Sequence, residues 1–184
     1  MAMPNQPSEW LLRWQHLLAP RSRVLDLACG TGRHLRHFAA LGHQLTGVDK
    51  NAAALAPLHG TGELICADLE SASWPLAGRA FAAVIVTNYL WRAHWPQLRA
   101  CVAPGGVLLY ETFAHGNAAY GHPARPEFLL QPGELLQLCD GWHIVAYEHG
   151  LIPTPGAQRV VQRIAAIRPA EDASAPLPQP LAPA

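Results

Sequence analysis

The stretch Val24-Leu25-Asp26-Leu27-Ala28-Cys29-Gly30-Thr31-Gly32-Arg33 constrains this 184-residue chain more than any other. Val24–Leu27 reads as a buried strand, and it empties into a turn with two glycines spaced two apart. Glycine lets the backbone pass close to a ligand. The helix that follows, with Leu35, Phe38 and Leu41 on one face and Gly42 as its stop, presents free amides there. A ligand crevice at the carboxyl end of a strand is what open α/β sheets provide.

The rest of the chain repeats the alternation of strand and helix. Apolar runs at Gln44–Val48, Glu63–Cys66, Phe81–Val86 and Val107–Glu111 read as strands. Between them, Asn51 caps a short alanine-rich helix ended near Pro57, and a further helix runs from about Arg92 to Val102. Pro104-Gly105-Gly106 has the chemistry of a type II turn. Pro132 at N1 and Glu134 near N3 start a short helix stopped by Gly141, and strands near Trp142–Tyr147 and Val160–Ile167 follow. Ahead of all this, Ser8 caps a helix on which Trp10, Leu11, Trp14, Leu17 and Leu18 recur, closed by Pro20. The pattern predicts a doubly wound, Rossmann-like α/β sheet of about seven strands, mostly parallel with the last strand antiparallel. One domain is expected over 8–168, with disordered tails at 1–7 and at the Pro/Ala-rich 169–184.

Composition removes several classes of function. Thirteen basic and thirteen acidic side chains leave zero formal charge, which argues against a nucleic-acid partner or an anionic membrane surface. No run approaches membrane-spanning length, and Glu9 and Arg13 make the amino-terminal apolar stretch unlike a signal peptide. Cys29, Cys66, Cys101 and Cys139 form no CxxC pair, so neither a zinc site nor a disulfide framework is expected, and a reducing cytoplasm is the expected location. His34 and His37 stand three apart without an acidic or thiol partner at ligand spacing, so no metal is expected.

Three acids carry the chemistry. A dinucleotide fingerprint needs a third glycine where this chain has Leu35, and Asp26 would face a pyrophosphate unfavourably. Asp26 suits a ligand with a positive charge. Asp49 ends the second strand, where a carboxylate accepts from ribose hydroxyls. Asp68 follows the third strand, placed to accept from an adenine amino group with Leu69 against the ring. A solvated loop acid is the ordinary reading of each alone, but three at the ends of successive strands after a Gly-x-Gly turn form a set.

Residues from about Val24 to Glu111 resemble the class I S-adenosylmethionine-dependent methyltransferases, through the D-x-x-C-G-T-G motif. More narrowly, Asp49-Lys50-Asn51, Pro132-Gly133-Glu134-Leu135 with Gly141-Trp142, and the spacing of Arg159 and Arg163 resemble the tellurite-resistance methyltransferases. The chain departs from that subgroup between His149 and Arg159, where Gly150-Leu151-Ile152-Pro153 replaces a His-Arg pair. The resemblance implies S-adenosyl-L-methionine as cofactor, with Gly30 and Gly32 lining its methionine portion and Asp26 near its amino group, Asp49 at the ribose, Asp68 and Leu69 at the adenine, and Ala28 and Lys50 as further cofactor contacts. Thr87, Asn88 and Tyr89 follow the fourth strand, where the family contacts the methionyl part. Asn88 reads equally well as a turn cap.

The acceptor side is written less clearly. Glu111 and Tyr89 are the candidates for catalytic work, and Glu111 reads either as a general base or as a buried anchor. Phe113, Arg159 and Arg163 are candidate substrate contacts, the two arginines sharing a strand face. They would suit an anionic substrate, although exposed arginines on an edge strand are common. The nineteen-residue Thr112–Leu130 segment reads as a lid over the site or as a plain surface connection. A small-molecule or oxyanion acceptor is expected, in a monomer or homodimer. The rivals are a nicotinamide-dependent oxidoreductase and a non-catalytic, regulatory S-adenosylmethionine-binding protein.

Overall fold

The computed structural model describes residues 6–71, 73–154, 157–170 and 179–181. Its strands are β1 (Arg23–Leu27), β2 (Gln44–Asp49), β3 (Glu63–Cys66), β4 (Phe81–Thr87), β5 (Val102–Phe113), β6 (His143–Thr154) and β7 (Ala157–Ile167). They form one sheet in the order β3-β2-β1-β4-β5-β7-β6, with β1 to β5 parallel and β7 antiparallel to both its neighbours. The chain winds outward from β1 to β3, returns to β4 beside β1 and winds the other way. The crevice of a doubly wound sheet therefore opens between the carboxyl ends of β1 and β4.

The central strands are apolar throughout because both faces are covered. Leu25, Leu27, Val84, Val86, Leu108 and Tyr110 pack into one layer, and Val24, Ala83, Ile85, Val107 and Leu109 into the other, the two-residue period of a strand. Helices α1 (Glu9–Trp14) and α2 (Arg33–Ala40) cover the second layer with Trp10, Leu11, Trp14, Leu35 and Phe38. The short helix α3 (Ala52–Leu55) adds Leu55 to that layer. On the first layer lie α4 (Trp95–Cys101) and α5 (Glu134–Leu138), through Leu98, Cys101, Leu135 and Leu138. No helix among the described residues is long and apolar enough to cross a membrane.

Several boundaries depart from the sequence pattern. Helix α1 does begin on the Ser8 cap, whose side chain accepts from the Trp10 amide, but after Trp14 it tightens into a 3-10 turn over Gln15–Leu17. Strand β5 starts at Val102 rather than Val107, carrying Pro104-Gly105-Gly106 within it beside a register shift against β4. The last two strands do not stop at Tyr147 and start at Val160: they continue into a long hairpin that pairs Ile152 with Arg159. Pro132 is not the first helical residue of α5, because Gly133 at φ 77° takes the cap position. Glu134 instead accepts from the Gln131 amide at 2.6 Å and from Arg92 Nε at 2.5 Å. Most of the expected tails, at 1–5, 171–178 and 182–184, lies outside the described residues, while the Pro180 carbonyl is 3.1 Å from His16 Nε2.

Gly32 shows why the turn before α2 is written as it is. Its φ is 72°, a left-handed conformation, and a Cβ there would overlap Leu58 Cδ1 and Cδ2. Gly32→Ala should lower stability by roughly 2–3 kcal/mol, combining left-handed strain with displacement of Leu58. Urea unfolding checks this, and an unchanged midpoint would contradict the turn geometry.

Candidate functional site

Two non-glycine residues flank the crevice in the left-handed region, Ala28 after β1 at φ 55° and Asn88 after β4 at φ 53°. Such conformations cost energy and cluster where chains serve a ligand. The Asn88 amide donates to the Glu111 carbonyl at 2.9 Å, tying the end of β4 to β5. On the other side Gly30, at φ 53°, faces open space where a Cβ would sit. Its amide donates to Asp49 Oδ2 at 2.7 Å, and the Asn51 amide donates to Asp49 Oδ1 at 2.9 Å. Asp49 thus fixes the glycine turn, yet each of its oxygens retains a lone pair for a ligand hydroxyl.

Asp26 is the unusual group. It is 1% exposed, and neither carboxylate oxygen has a hydrogen-bond partner among the described residues. His34 Nδ1 stands 3.7 Å from Asp26 Oδ2, while His34 Nε2 accepts from the Ser8 amide at 3.3 Å. A backbone amide only donates, so Nε2 is the unprotonated nitrogen and the neutral ring turns Nδ1–H toward Asp26. An acid left this way carries a desolvation penalty that a cationic ligand group would offset. Burial, with Asp26 and Asp49 adding to it, pushes the neighbouring Cys29 thiol up to about 12, which removes it as a nucleophile.

Two adjoining cavities open over this edge. One of about 250 Å³ is lined by Ala28, Asp49, Lys50, Ala67, Asp68, Leu69, Glu70, Asn88 and Tyr89. The other, of about 300 Å³, shares Glu70, Asn88 and Tyr89 and adds Leu90, Thr112, Phe113, Pro123 and Phe128. Most of the residues expected around a cofactor therefore converge on the first cavity, and Thr87 is buried where β4 ends, paired with Glu111 in the ladder. Burial, followed by the nearby Glu70 and Asp68, raises the Tyr89 phenol well above its ordinary range. Tyr89 is a proton donor here and unsuited to act as a base.

Glu111, Arg159 and Arg163 are drawn into a separate network. Glu111 is 1% exposed and accepts from Ser8 Oγ at 3.0 Å and from Arg163 Nη1 at 3.3 Å, with Arg159 Nη2 at 3.8 Å. Arg163 also donates to Glu148 at 2.7 Å, and Glu148 accepts from Arg13 at 2.9 Å. Neither arginine lines either cavity. The Thr112–Leu130 segment is pinned at both ends: Leu130 N–H donates to the Phe113 carbonyl at 3.0 Å and His115 N–H to that of Leu130 at 2.8 Å. Asn117, buried within it, donates to the Pro123 carbonyl and accepts from the Val160 amide. Phe113 faces the second cavity, whereas Tyr120 is 46% exposed.

The sequence reading missed Ser8 and His34 as partners of the site, and Glu70, Leu90, Pro123 and Phe128 as its walls. Glu70 had a signal, since it directly follows Asp68-Leu69. The others arrive through contacts distant in sequence. Among the described residues no group of three or more His, Cys, Asp or Glu is arranged to hold a metal ion. Glu111→Gln should cost about 3 kcal/mol, because Arg163 loses one of its two anionic partners in a mostly buried setting. Thermal and urea unfolding measure this, and a loss below about 1 kcal/mol, the range of surface ion pairs, would refute the anchoring role.

Residues 24–106 match the model of the family described as a methyltransferase domain. No curated protein matches the sequence at a significant level. The fold is similar to TehB from Haemophilus influenzae at a TM-score of 0.73 and 18% identity, over 88% of this chain and 62% of that one. It is also similar to the Burkholderia thailandensis 1,6-didemethyltoxoflavin-N1-methyltransferase, solved with bound 1,6-didemethyltoxoflavin and S-adenosylhomocysteine (TM-score 0.64, 20% identity, 87% of this chain and 76% of that one). An S-adenosylmethionine-dependent methyltransferase from Methanosarcina mazei aligns over 90% of this chain and all of its own, at a TM-score of 0.64 and 15% identity. This chain thus spans less than two thirds of the TehB length. Its fold is that of the class I S-adenosylmethionine-dependent methyltransferases, and the part matched by the methyltransferase-domain model runs from β1 into β5.

Proposed function

We propose that the chain transfers a methyl group from S-adenosyl-L-methionine to a small-molecule acceptor. The observation that carries this reading is Asp26, a buried carboxylate near the carboxyl end of β1 whose oxygens lack hydrogen-bond partners among the described residues, although it lines neither cavity itself. The residues present fit the cofactor: an orphaned acid for its cationic end, a glycine turn with open space at Gly30, and Asp49 with lone pairs to spare for a diol. Asp68 and Leu69 would meet the adenine. The cofactor, when bound, supplies a methyl carbon already activated by the positive charge on sulfur.

What remains for the protein is orientation and exclusion of water, which in well-oriented systems contribute roughly 7–11 kcal/mol. Asp26 and Asp68 would fix the two ends of the cofactor and Asp49 its ribose, and Tyr89 and Asn88 stand where the two cavities join. Tyr89 would donate a hydrogen bond to the acceptor. Glu111, bound to Ser8 and Arg163, would hold the site's framework rather than take a proton.

Calorimetry tests the proposal directly. S-adenosylmethionine and S-adenosylhomocysteine should bind, and NAD should not bind comparably; tighter NAD binding would reverse the reading. Asp49→Ala should weaken S-adenosylhomocysteine by about 1.5–3 kcal/mol, the range for hydrogen bonds to a charged group. Asp26→Asn should also weaken it, while raising stability in the unliganded protein because a buried charge is removed. A destabilised Asp26→Asn protein with unaltered affinity would count against Asp26 as the cation site.

A further inference from the structure

The second cavity differs in chemistry from the arginine cluster that the sequence pattern offers as an acceptor site. Its walls are aromatic and apolar, with Tyr89, Phe113 and Phe128 around it and Leu90 and Pro123 beside them. Glu70 is its one carboxylate, exposed at the rim shared with the cofactor cavity, and its side chain makes no hydrogen bond among the described residues. No lysine, arginine or histidine is among the lining residues. Of the cations beside that wall, Arg125 stacks over the Phe128 ring and pairs with Glu127, and Arg92 pairs with Glu134 and donates to the Glu127 and Leu129 carbonyls. Arg163 is held between Glu111 and Glu148, and Arg159 faces Glu111. The surroundings of the acceptor are therefore net negative and flat-walled.

We propose that the acceptor is a planar aromatic or heteroaromatic amine, seated among Tyr89, Phe113 and Phe128 with an N–H directed at Glu70, and not an oxyanion. This rests on the methyl-transfer reading above. Rings stack or meet edge to face with such walls, and a carboxylate at the rim rejects an anion while accepting from an amine. In the reaction the acceptor nitrogen's lone pair forms the new bond to the methyl carbon. The carbon–sulfur bond breaks with its electron pair retained by sulfur, which becomes a neutral thioether. The nitrogen, now positive, gives its proton to the Glu70 carboxylate, which is open to solvent and passes it on. Positive charge therefore moves from the sulfur to the nitrogen and then to water, and Glu70 opposes it at the nitrogen.

A matched pair of probes tests the sign of the pocket. The protein saturated with S-adenosylhomocysteine is titrated with 6-aminoquinoline, quinoline-6-carboxylate and selenite. The amine should bind at least about tenfold tighter than the carboxylate of the same ring, and Glu70→Gln should remove about that factor. Phe128→Ala should weaken both quinolines, since they share the ring contact. Equal or tighter binding of the carboxylate or of selenite overturns the proposal, as does an amine affinity indifferent to Glu70→Gln. Failure of S-adenosylhomocysteine itself to bind would refute the cofactor reading instead. The same quinoline titration on the protein alone then decides the pocket, with the same preference expected and its absence fatal to the proposal.

Discussion

Glu111 lies at the carboxyl end of β5, shut away from water, in a position that costs several kcal/mol unless charge and hydrogen bonds compensate it. The compensation comes from three directions. Ser8 donates from the cap of α1, and Arg163 and Arg159 approach from β7. Arg163 in turn engages Glu148 on β6, which Arg13 of α1 also reaches. The amino-terminal helix, the central sheet and the terminal hairpin are thereby joined at one acid. Through the Ser8 amide and His34 the same chain of contacts reaches Asp26, so the cofactor edge inherits its geometry from this tie.

The edge itself divides into two chemistries. Asp49 at the end of β2 and Asp68 and Glu70 after β3 bring carboxylates to the first cavity, beside Lys50 and the apolar Ala28, Ala67 and Leu69. Tyr89 after β4, Phe113 at the end of β5 and Phe128 beyond it bring aromatic rings to the second. Asn88 and Tyr89, directly after the strand that reverses the winding, line both cavities, as Glu70 does. The left-handed conformations of Ala28 and Asn88 are the local cost of turning the backbone out of the sheet at that reversal.

The strand and helix order was legible in the sequence because buried parallel strands must be apolar without interruption, and helices must present one apolar face. The three acids were legible for a related reason: Asp26 interrupts the apolar run of β1 one residue before its end, Asp49 ends β2 and Asp68 follows β3, all near the edge where ligands bind in this fold. Arg159 and Arg163 show the limit. Their four-residue spacing does place them on one face, but what that face meets depends on Glu111 and Glu148, 48 and 11 residues before Arg159 in the sequence. The extended hairpin was equally hidden, since the sequence pattern ends one strand near Tyr147 and begins the next near Val160, and yet Gly150 and Pro153 fall within a paired strand. His34 looked like half of a histidine pair on a helix face, and only the fold sets it between Ser8 and Asp26.

The pinned ends of the segment from 112 to 130 bear on how such a domain diversifies. Its backbone leaves and rejoins the body at almost one point, through the bonds among Phe113, His115 and Leu130, and Asn117 braces it against β7. Whatever lies between those anchors can be rewritten with little effect on the sheet's own hydrogen bonding. The walls of the second cavity supplied by Pro123 and Phe128 belong to that rewritable interval, whereas the acids of the first lie inside the matched family region. On the proposed reading, substrate range would be uncoupled from cofactor retention, so selection could exchange one guest for another along this loop while the scaffold stays folded.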